Sequence, residues 1–447
     1  MTPNEGPTET HEHSSDSSNL MDQAQLLYIN GRYQPSSDGA TFPVNNPMTG
    51  QRIYDCASAS VNDYGLAIEN AHKAYQSWSK IGTTARRMIF LKAPDILESY
   101  LHQDAGEVIS TDRPGTTAFM ERQPVGVVFG IAPWNAPVNL TARAVACPLI
   151  CGNTVVLKPS EFSPKSQNLV MRALTAAGLP PGCLNFLPTS PERAPQVTEF
   201  ATKHPKVLRI NFTGSDRVGR IIGSWAAECV KQCILELGGK APVVVFDDAN
   251  IDEAVEAVVF GALSYSGQIC MSTERVLLHR SISGKFKAKL LAKVATVKTG
   301  NHLENPDVSL SGLFTPASAR RVIDLVKSAV HGGAKLLTGN LEITGLNKTI
   351  VRPHVLEGVK RHMDIAKQES FGPVMIIEFK TDEEAVALAN DSAFHINGPT
   401  VYVEATLPQG GTGGSSGYGR FGGMPGVEAF AERKIVTLAT SKLRYAF

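Results

Sequence analysis

The chain lacks a long apolar run and an excess of either charge. No apolar stretch in its 447 residues approaches the ~20 residues that a helix needs to cross a bilayer, so we expect no membrane span. Lysine plus arginine number 43 against 42 aspartate plus glutamate, which gives a formal net charge of +1. A charge so close to zero disfavours a nucleic-acid partner or an electrostatic membrane patch.

Cysteines are few and lack metal-binding or disulfide spacing. The seven cysteines include no CxxC motif, which disfavours a disulfide scaffold and a structural zinc site, so we expect no metal site. Two pairs have a spacing of four residues, Cys147 with Cys151 and Cys229 with Cys233. Because no histidine lies near either pair, we interpret both pairs as core residues.

The start of the chain lacks basic residues. The first lysine or arginine is Arg32, whereas a secretory signal needs a basic start and a mitochondrial presequence needs arginines. We therefore expect residues 1–25 to form a disordered tail and the protein to be cytoplasmic.

From Leu26 onward, short apolar runs alternate with helical patterns. The runs VGVVFGIAP, NTVVLKPS, VLRINFTGS and APVVVFDD are separated by stretches such as SPKSQNLVMRALTAAG. Buried strands alternating with helices predict a parallel α/β sheet. A similar series follows residue 270, so the sequence predicts two α/β units.

Cys270 lies among small and polar residues in the stretch SYSGQICMSTERV. A structural buried cysteine usually has apolar neighbours, whereas a nucleophilic thiolate must be reachable by its substrate. On this stretch alone a small core residue is the commoner interpretation.

Other residues offer the chemistry that a nucleophilic thiol needs. Glu236, in CILELGGKAPVVVF, is a carboxylate in an apolar setting and a candidate general base. Asn135 lies between prolines in FGIAPWNAPVNL, where its amide could donate to an oxyanion. Lys158 and Glu161 follow an apolar run, at the place where open α/β sheets bind nucleotides; a surface ion pair is the alternative.

Gly214 and Gly219 bracket a strand-to-helix turn in VLRINFTGSDRVGR. The free N–H groups at a helix N-terminus suit a pyrophosphate. The alternative is that the two glycines serve only the turn.

Six motifs in one order resemble the aldehyde dehydrogenase superfamily from about Leu26 to the end of the chain. They are GIAPWNAP, VLKPSEFSP, FTGSxxxG, LELGGKAP, GQIC and ESFGPV, with Cys270 placed 34 residues after Glu236. The stretches STDRPG, GIAPWNAPV, HINGPTV and SGYGRFGG further resemble the salicylaldehyde and vanillin dehydrogenases, which oxidise aromatic aldehydes.

The resemblance implies an α/β fold with a Rossmann-type cofactor domain, an α/β catalytic domain and a small β oligomerisation arm. The NAD(P)-binding domain would comprise 26–106 and 126–236, and the catalytic domain 237–432. The arm would comprise 107–125 and 433–447, and it implies a homo-oligomer, a dimer or a tetramer.

The resemblance also implies a reaction. Cys270 would attack a small aldehyde, aromatic or otherwise hydrophobic, to give a thiohemiacetal and then a thioester. Asn135 and the Cys270 main-chain N–H would hold the oxyanion. Glu236 would activate the water that releases the acid, which disfavours the alternative of transfer to coenzyme A.

The implied cofactor is NAD, because the Glu161 carboxylate would repel a 2′-phosphate, although the adjacent Lys158 leaves NADP possible. Lys158 and Glu161 would hold the adenosine ribose. The other implied cofactor residues are Trp134, Gly214, Ser215 and Gly219 near the pyrophosphate, and Glu369 and Phe371 at the nicotinamide ribose and ring.

Two places are shorter than in the proteins that the chain resembles. One lies at 101–106, where about two helices are missing, and the other at 394–395, where a strand–helix–strand portion is missing. An alternative to an active enzyme is therefore a non-catalytic or weakly active aldehyde dehydrogenase-like protein.

Overall fold

A computed structural model describes residues 24–92, 107–109, 111–112, 115–389, 395–396, 410–411 and 416–439 of the chain. Several predictions fall outside these described residues. They concern most of the tail at 1–25, the shortened segment at 101–106, residue 394 and the last part of the arm, 440–447.

The first sheet has eight strands, of which the five central ones are parallel. In spatial order they are β2 (Arg32–Gln34), β1 (Leu27–Ile29), β9 (Leu184–Phe186), β8 (Thr154–Lys158), β7 (Val127–Ile131), β10 (Val207–Thr213), β11 (Gln232–Glu236) and β20 (Gly417–Tyr418). Every residue of β7 and β8 is buried, as expected for parallel strands covered on both faces.

Helices cover both faces of this sheet. They are α1 (Val61–Trp78), α2 (Thr83–Leu91), α3 (Pro137–Ile150), α4 (Pro164–Ala176), α5 (Ala194–Lys203) and α6 (Asp216–Glu228). Helix α1 begins at a capping box in which Ser60 and Asp63 satisfy each other's main-chain N–H groups. One apolar core lies between the sheet and α3, and a second lies between the sheet and α1.

The second sheet has six strands, and its neighbouring strands are parallel except for the first pair in the order given next. In spatial order they are β14 (Lys335–Thr338), β17 (His354–Glu357), β18 (Val374–Lys380), β13 (Arg275–His279), β12 (Pro242–Val245) and β19 (His395–Ile396). The remaining helices are α7 (Ile251–Leu263), α8 (Ser283–Ala295), α9 (Pro316–His331), α10 (Asp364–Lys367), α11 (Asp382–Ala389) and α12 (Gly423–Phe430). Strand β19 begins at His395, directly after the shortening predicted at 394–395, and it pairs with β12.

A third, antiparallel sheet joins two distant parts of the chain. Its strands are β21 (Ala431–Ala439), β6 (Thr116–Pro124) and β5 (Glu107–Ile109). Strands β21 and β6 pair along their whole length, from Ala431 opposite Pro124 to Ala439 opposite Thr116. Two hairpins complete the strands: β3 (Thr41–Asn45) with β4 (Arg52–Ala57), and β15 (Ile343–Thr344) with β16 (Ile350–Val351). The predicted α/β class is confirmed.

The described ranges contain neither a membrane-spanning helix nor a cluster of metal-ligating side chains. No helix there has the length and apolarity needed to cross a membrane. Nor does this part of the chain bring together three or more His, Cys, Asp or Glu side chains that could hold a metal ion.

Candidate active site

The carboxyl edge of the first sheet gathers several of the predicted site residues. Strand β8 ends at Lys158, opposite Ile131 of β7, and β11 ends at Glu236, opposite Thr213 of β10. Asn135 follows β7 by four residues. Since ligands bind outside the carboxyl ends of parallel strands in open α/β sheets, this edge is the expected position for a site.

Cys270 follows a tight turn that its glycine makes possible. Tyr265, Ser266 and Gly267 all have positive φ, at 51°, 57° and 73°. A Cβ on Gly267 would overlap the main-chain oxygen of Gly372, so only glycine fits this approach. The turn therefore packs Gly267 against the segment that carries Glu369 and Phe371, and the Cys270 thiol three residues later is half-buried.

Three ionisable side chains surround the Cys270 thiol. Burial and the nearby carboxylates of Glu236 and Glu369 raise the pKa of this thiol to about 12, while the Arg143 guanidinium lowers it. Burial alone raises the pKa of Cys183 to about 12, so a raised pKa by itself does not mark a functional thiol. What distinguishes Cys270 is the cluster of ionisable groups around it.

Asn135 is anchored to the chain just before the thiol. Its Nδ2 donates a hydrogen bond to the main-chain oxygen of Gln268 at 3.0 Å. The Gln268 side chain in turn accepts a hydrogen bond from the Phe314 main-chain N–H at 2.9 Å. An amide group has two N–H bonds, so one can anchor Asn135 while the second serves an oxyanion.

Glu236 is buried at the end of β11 and is held by two neighbours. Nη1 of Arg143, from α3, lies 2.9 Å from each of its carboxylate oxygens. The Thr213 hydroxyl lies within 3.3 Å of Oε2. The arrangement keeps a carboxylate in a fixed orientation next to a thiol, as a general base requires.

Glu369 has a buried carboxyl group, and one of its oxygens makes no hydrogen bond to the described residues. Among the described residues, its Oε1 has no hydrogen-bond partner. A Cβ on Gly238 would overlap Oε2, so that glycine makes room for the carboxyl group. Burial, and then the neighbouring Glu274, raise the pKa of Glu369 to about 8. An unsatisfied buried oxygen suits a ligand that donates a hydrogen bond, and a ribose hydroxyl fits this requirement.

A second buried ion pair supports the Glu369 segment. The Lys240 ammonium pairs with Glu274, and both side chains are almost fully buried. The main-chain N–H groups of Ser370 and Phe371 donate to the Glu274 carboxylate at 2.8 and 3.1 Å. These bonds fix the turn that carries Glu369.

Lys158 is the buried last residue of β8, and Glu161 follows it by three residues. Burial lowers the pKa of Lys158, and Glu161 opposes that effect. Glu161 lines a cavity of about 490 Å³ together with Phe162 and Phe314. Trp134 stacks on Phe314 with 4.2 Å between ring centroids. The carboxylate can accept hydrogen bonds from ribose hydroxyls, and the aromatic rings can contact a flat base. The residues present therefore fit a nucleotide.

The turn at Gly214 uses its glycines for packing. The Gly214 main-chain N–H donates to the oxygen of Glu236 at 3.0 Å, which continues the sheet. A Cβ on Gly219 would overlap the Leu237 side chain, so this glycine lets α6 approach β11 closely. Ser215 is the N-cap of α6. Both glycines thus have a role in the turn and its packing. Their contacts with a pyrophosphate stay a prediction.

Three residues of the site were not found from the sequence. Arg143 pairs with the predicted base, Gln268 anchors the predicted oxyanion donor, and Phe314 stacks on Trp134. The only sequence signal was for Arg143, which is a lone charge in the apolar helix PVNLTARAVACPLI.

The chain matches one protein family and several curated relatives. The model of the aldehyde dehydrogenase family matches residues 33–105 and 98–395. A vanillin dehydrogenase of Pseudomonas fluorescens is 39% identical over 481 aligned positions, covering 94% of this chain and 98% of the relative. A salicylaldehyde dehydrogenase of Pseudomonas putida is 37% identical over 484 positions, covering 94% of this chain and 99% of the relative.

Solved structures agree with these matches. The crystal structure of a salicylaldehyde dehydrogenase from Pseudomonas putida G7, complexed with salicylaldehyde, is similar with a TM-score of 0.89 at 35% identity, covering 95% of this chain and 100% of that one. A betaine aldehyde dehydrogenase from Staphylococcus aureus in complex with NAD+ has a TM-score of 0.86 at 27% identity, covering 94% and 96%.

The matches also bear on the shortened segments. The family match is divided at residues 98–105, and its second part ends at residue 395. These are the two places at which the sequence predicts missing residues. The alignment with the vanillin dehydrogenase extends over 481 positions, more than the 447 residues of this chain, so that relative carries residues without a counterpart here.

Proposed function

Because the chain belongs to the aldehyde dehydrogenase family, we propose that Cys270, Glu236 and Asn135 are its catalytic residues. The chain is an oxidoreductase that converts aldehydes to carboxylic acids with NAD(P)+. The observation that carries the assignment of residues is the half-buried thiol with two carboxylates, a guanidinium and an anchored amide around it.

In the proposed reaction, the Cys270 thiolate attacks the aldehyde carbon and forms a thiohemiacetal. The second amide N–H of Asn135 and the Cys270 main-chain N–H donate to the oxyanion. NAD(P)+, when bound, supplies the hydride acceptor. Loss of the hydride leaves a thioester on Cys270. Glu236 takes a proton from a water whose oxygen attacks the acyl carbon, and the C–S bond breaks to release the acid and restore the thiolate.

For the cofactor, we propose that Glu161 and Lys158 hold the adenosine ribose, and that Glu369 accepts a hydrogen bond from the nicotinamide ribose. Oε1 of Glu369, which has no hydrogen-bond partner among the described residues, supports the second contact. The proposed preference is for NAD, since the Glu161 carboxylate would repel a 2′-phosphate. The other residues proposed to contact the cofactor are Trp134, Gly214, Ser215, Gly219 and Phe371.

For the substrate, we propose an aromatic or other hydrophobic aldehyde. The support comes from relatives named for vanillin and salicylaldehyde, at 37% to 39% identity. Benzaldehyde should therefore give a higher kcat/KM than a charged aliphatic aldehyde such as succinic semialdehyde.

We further infer the division of the chain and its setting. We propose a cofactor domain at 26–106 and 126–236 and a catalytic domain at 237–432. The first sheet supports the former range and the second sheet the latter, except that β20 and α12 pack with the first sheet. The antiparallel sheet supports an oligomerisation arm at 107–125 and 433–447, hence a dimer or tetramer. The seven cysteines without CxxC spacing support a reducing, cytoplasmic location.

The test is the formation of NADH from NAD+ and benzaldehyde, followed by absorbance. Wild type should turn over, and Cys270→Ala should lose turnover while it still binds NAD+ in calorimetry. Cys229→Ala, which removes another cysteine that is not fully buried, is the matched control and should retain activity. NAD+ binding without turnover of any aldehyde in wild type would favour the non-catalytic alternative, and a product found only with coenzyme A would favour the acylating one.

A further inference from the structure

Arg143 carries a charge inside an apolar helix. It lies in the middle of α3, where its neighbours along the helix are buried, and its own side chain is only 8% exposed. A buried guanidinium is costly unless it is paired and hydrogen-bonded. Arg143 meets this requirement by pairing with the residue proposed as the general base.

The pair between Arg143 and Glu236 has a defined geometry. One guanidinium nitrogen, Nη1, lies 2.9 Å from both carboxylate oxygens, so the carboxylate plane is fixed relative to α3. The guanidinium carbon also lies 5.7 Å from the centroid of the Phe421 ring, a cation–π distance. The Thr213 hydroxyl contacts the same carboxylate from β10. Glu236 is therefore held from two elements, α3 and β10.

We propose that Arg143 is a positioning residue that fixes the Glu236 carboxylate and offsets its negative charge beside Cys270. The inference rests on the proposed function in its use of Glu236 as the deacylation base. The ionisable groups that face Cys270 are the carboxyl groups of Glu236 and Glu369 and the guanidinium of Arg143. Because burial raises the pKa of Glu369 to about 8, Glu236 is the carboxylate whose charge Arg143 offsets at neutral pH.

The reaction explains why such a countercharge is needed. Cys270 is a thiolate both when it attacks the aldehyde and when the C–S bond of the thioester breaks. Without Arg143, each step would place this thiolate beside an uncompensated buried carboxylate, and like charges in a buried site disfavour ionisation. During deacylation Glu236 becomes neutral by taking the water proton, and the guanidinium then faces the departing thiolate.

A purely structural ion pair is the competing explanation. Buried pairs contribute little net stability in many proteins, but loss of one partner is destabilising, so both explanations predict a lower melting temperature for Arg143→Met. Only the positioning role predicts a change in the ionisation of Cys270 and in deacylation.

The first test measures the rate of alkylation of Cys270 by iodoacetamide between about pH 7 and pH 10, in the full-length protein without cofactor. In this range, below the pKa of the thiol, the rate is proportional to the thiolate fraction. Mass spectrometry of the Cys270 peptide separates this thiol from the other cysteines. Arg143→Met should lower the rate at each pH by about tenfold or more, and Glu236→Gln should raise it. Arg143→Lys should stay near wild type, because it keeps the charge.

The controls separate the site from general damage. Arg209→Met removes another buried arginine, from β10, which bonds to the main-chain oxygen of Ala429. It should leave the alkylation rate of Cys270 unchanged. If Arg143→Met does not fold, Arg143→Gln loses the charge with a polar side chain and should show the same fall in rate. An alkylation rate equal to that of wild type in a folded, uncharged Arg143 variant would overturn the proposal.

The second test measures the burst of NADH and the following steady state with benzaldehyde. Arg143→Met should slow the steady-state rate by about tenfold or more, and the burst by less. The loss should stay below the roughly 10²–10⁴-fold that a general base itself supplies. Arg143→Lys should recover part of the loss. If wild type oxidises no aldehyde, the proposed function fails, whereas the alkylation profile still decides the role of Arg143.

Discussion

The side-chain amide of Asn135 donates a hydrogen bond to the main-chain oxygen of Gln268, two residues before Cys270. This bond ties the loop after β7 to the loop that carries the thiol. It joins parts of the chain 133 residues apart. The amide therefore has a fixed position relative to any adduct formed on Cys270.

Asn135→Ala should lower kcat by about 10²–10³-fold, the loss that follows removal of one oxyanion donor. The KM for the aldehyde should change much less, because the amide acts on charge that develops in the transition state. Steady-state kinetics with benzaldehyde check this. Asn139→Ala, which removes an amide four residues further on, is the matched control; equal losses in both variants would contradict a role specific to Asn135.

Glu161→Gln should narrow the preference for NAD over NADP. The wild-type carboxylate repels a 2′-phosphate, and the glutamine keeps the size of the side chain without its charge. The measurement is kcat/KM with each cofactor at one ionic strength. Glu192→Gln removes a carboxylate from the same cavity and should narrow the ratio less. A wild-type preference for NADP would contradict the role given to Glu161.

Glu369 should make stability depend on pH. Its pKa is raised from 4.5 to about 8 by burial, so between these values the folded protein keeps a proton that the unfolded chain has lost. The contribution of Glu369 to the free energy of unfolding therefore falls as pH rises through that window.

Glu369→Gln removes this contribution, so its melting temperature should improve relative to wild type as pH rises across the window. Melting curves at the two ends of the window measure the difference. Glu253→Gln, at the start of α7, is an exposed control and should show no such trend. A difference in melting temperature that does not change with pH would mean that Glu369 is not protonated in the folded protein.

Strand β21 should mediate assembly. Together with β5 it leaves exposed apolar side chains on the antiparallel sheet, with Ile435 64% and Val108 73% exposed. Exposed strands of this kind pair with other chains, and a charge on the strand disfavours such pairing. Ile435→Lys should therefore reduce the mass measured by light scattering, whereas Leu346→Lys, at a site 78% exposed outside this sheet, should not. A monomeric wild type would refute the proposal that this sheet is an oligomerisation arm.

Much of this fold was predictable because the central strands are short apolar runs. The strands β7, β8, β10 and β12 lie within those runs, since strands buried on both faces are mostly apolar. The strands β5 and β19 were not predictable. They contain three and two residues, and their pairing partners, not their own sequence, determine them.

The site was predictable only in part. Cys270, Glu236 and Asn135 stand out because each is a polar group beside glycines, prolines or apolar runs. The partnership of Arg143 with Glu236 depends on how α3 packs against a strand 93 residues later, which no local pattern encodes. Gly219 shows the opposite problem: its spacing suggested a phosphate turn, whereas its position against Leu237 already explains the glycine.

The central claim is that Cys270 carries the acyl group and Glu236 releases it. The most direct measurement is intact-protein and peptide mass spectrometry of Glu236→Gln after mixing with NAD+ and benzaldehyde. The account predicts a burst of NADH and one benzoyl group on the Cys270 peptide. The double variant Glu236→Gln/Cys270→Ala should show neither the burst nor the benzoyl group. An unmodified Cys270 after a burst of NADH, or an acyl group on another residue, would contradict the account.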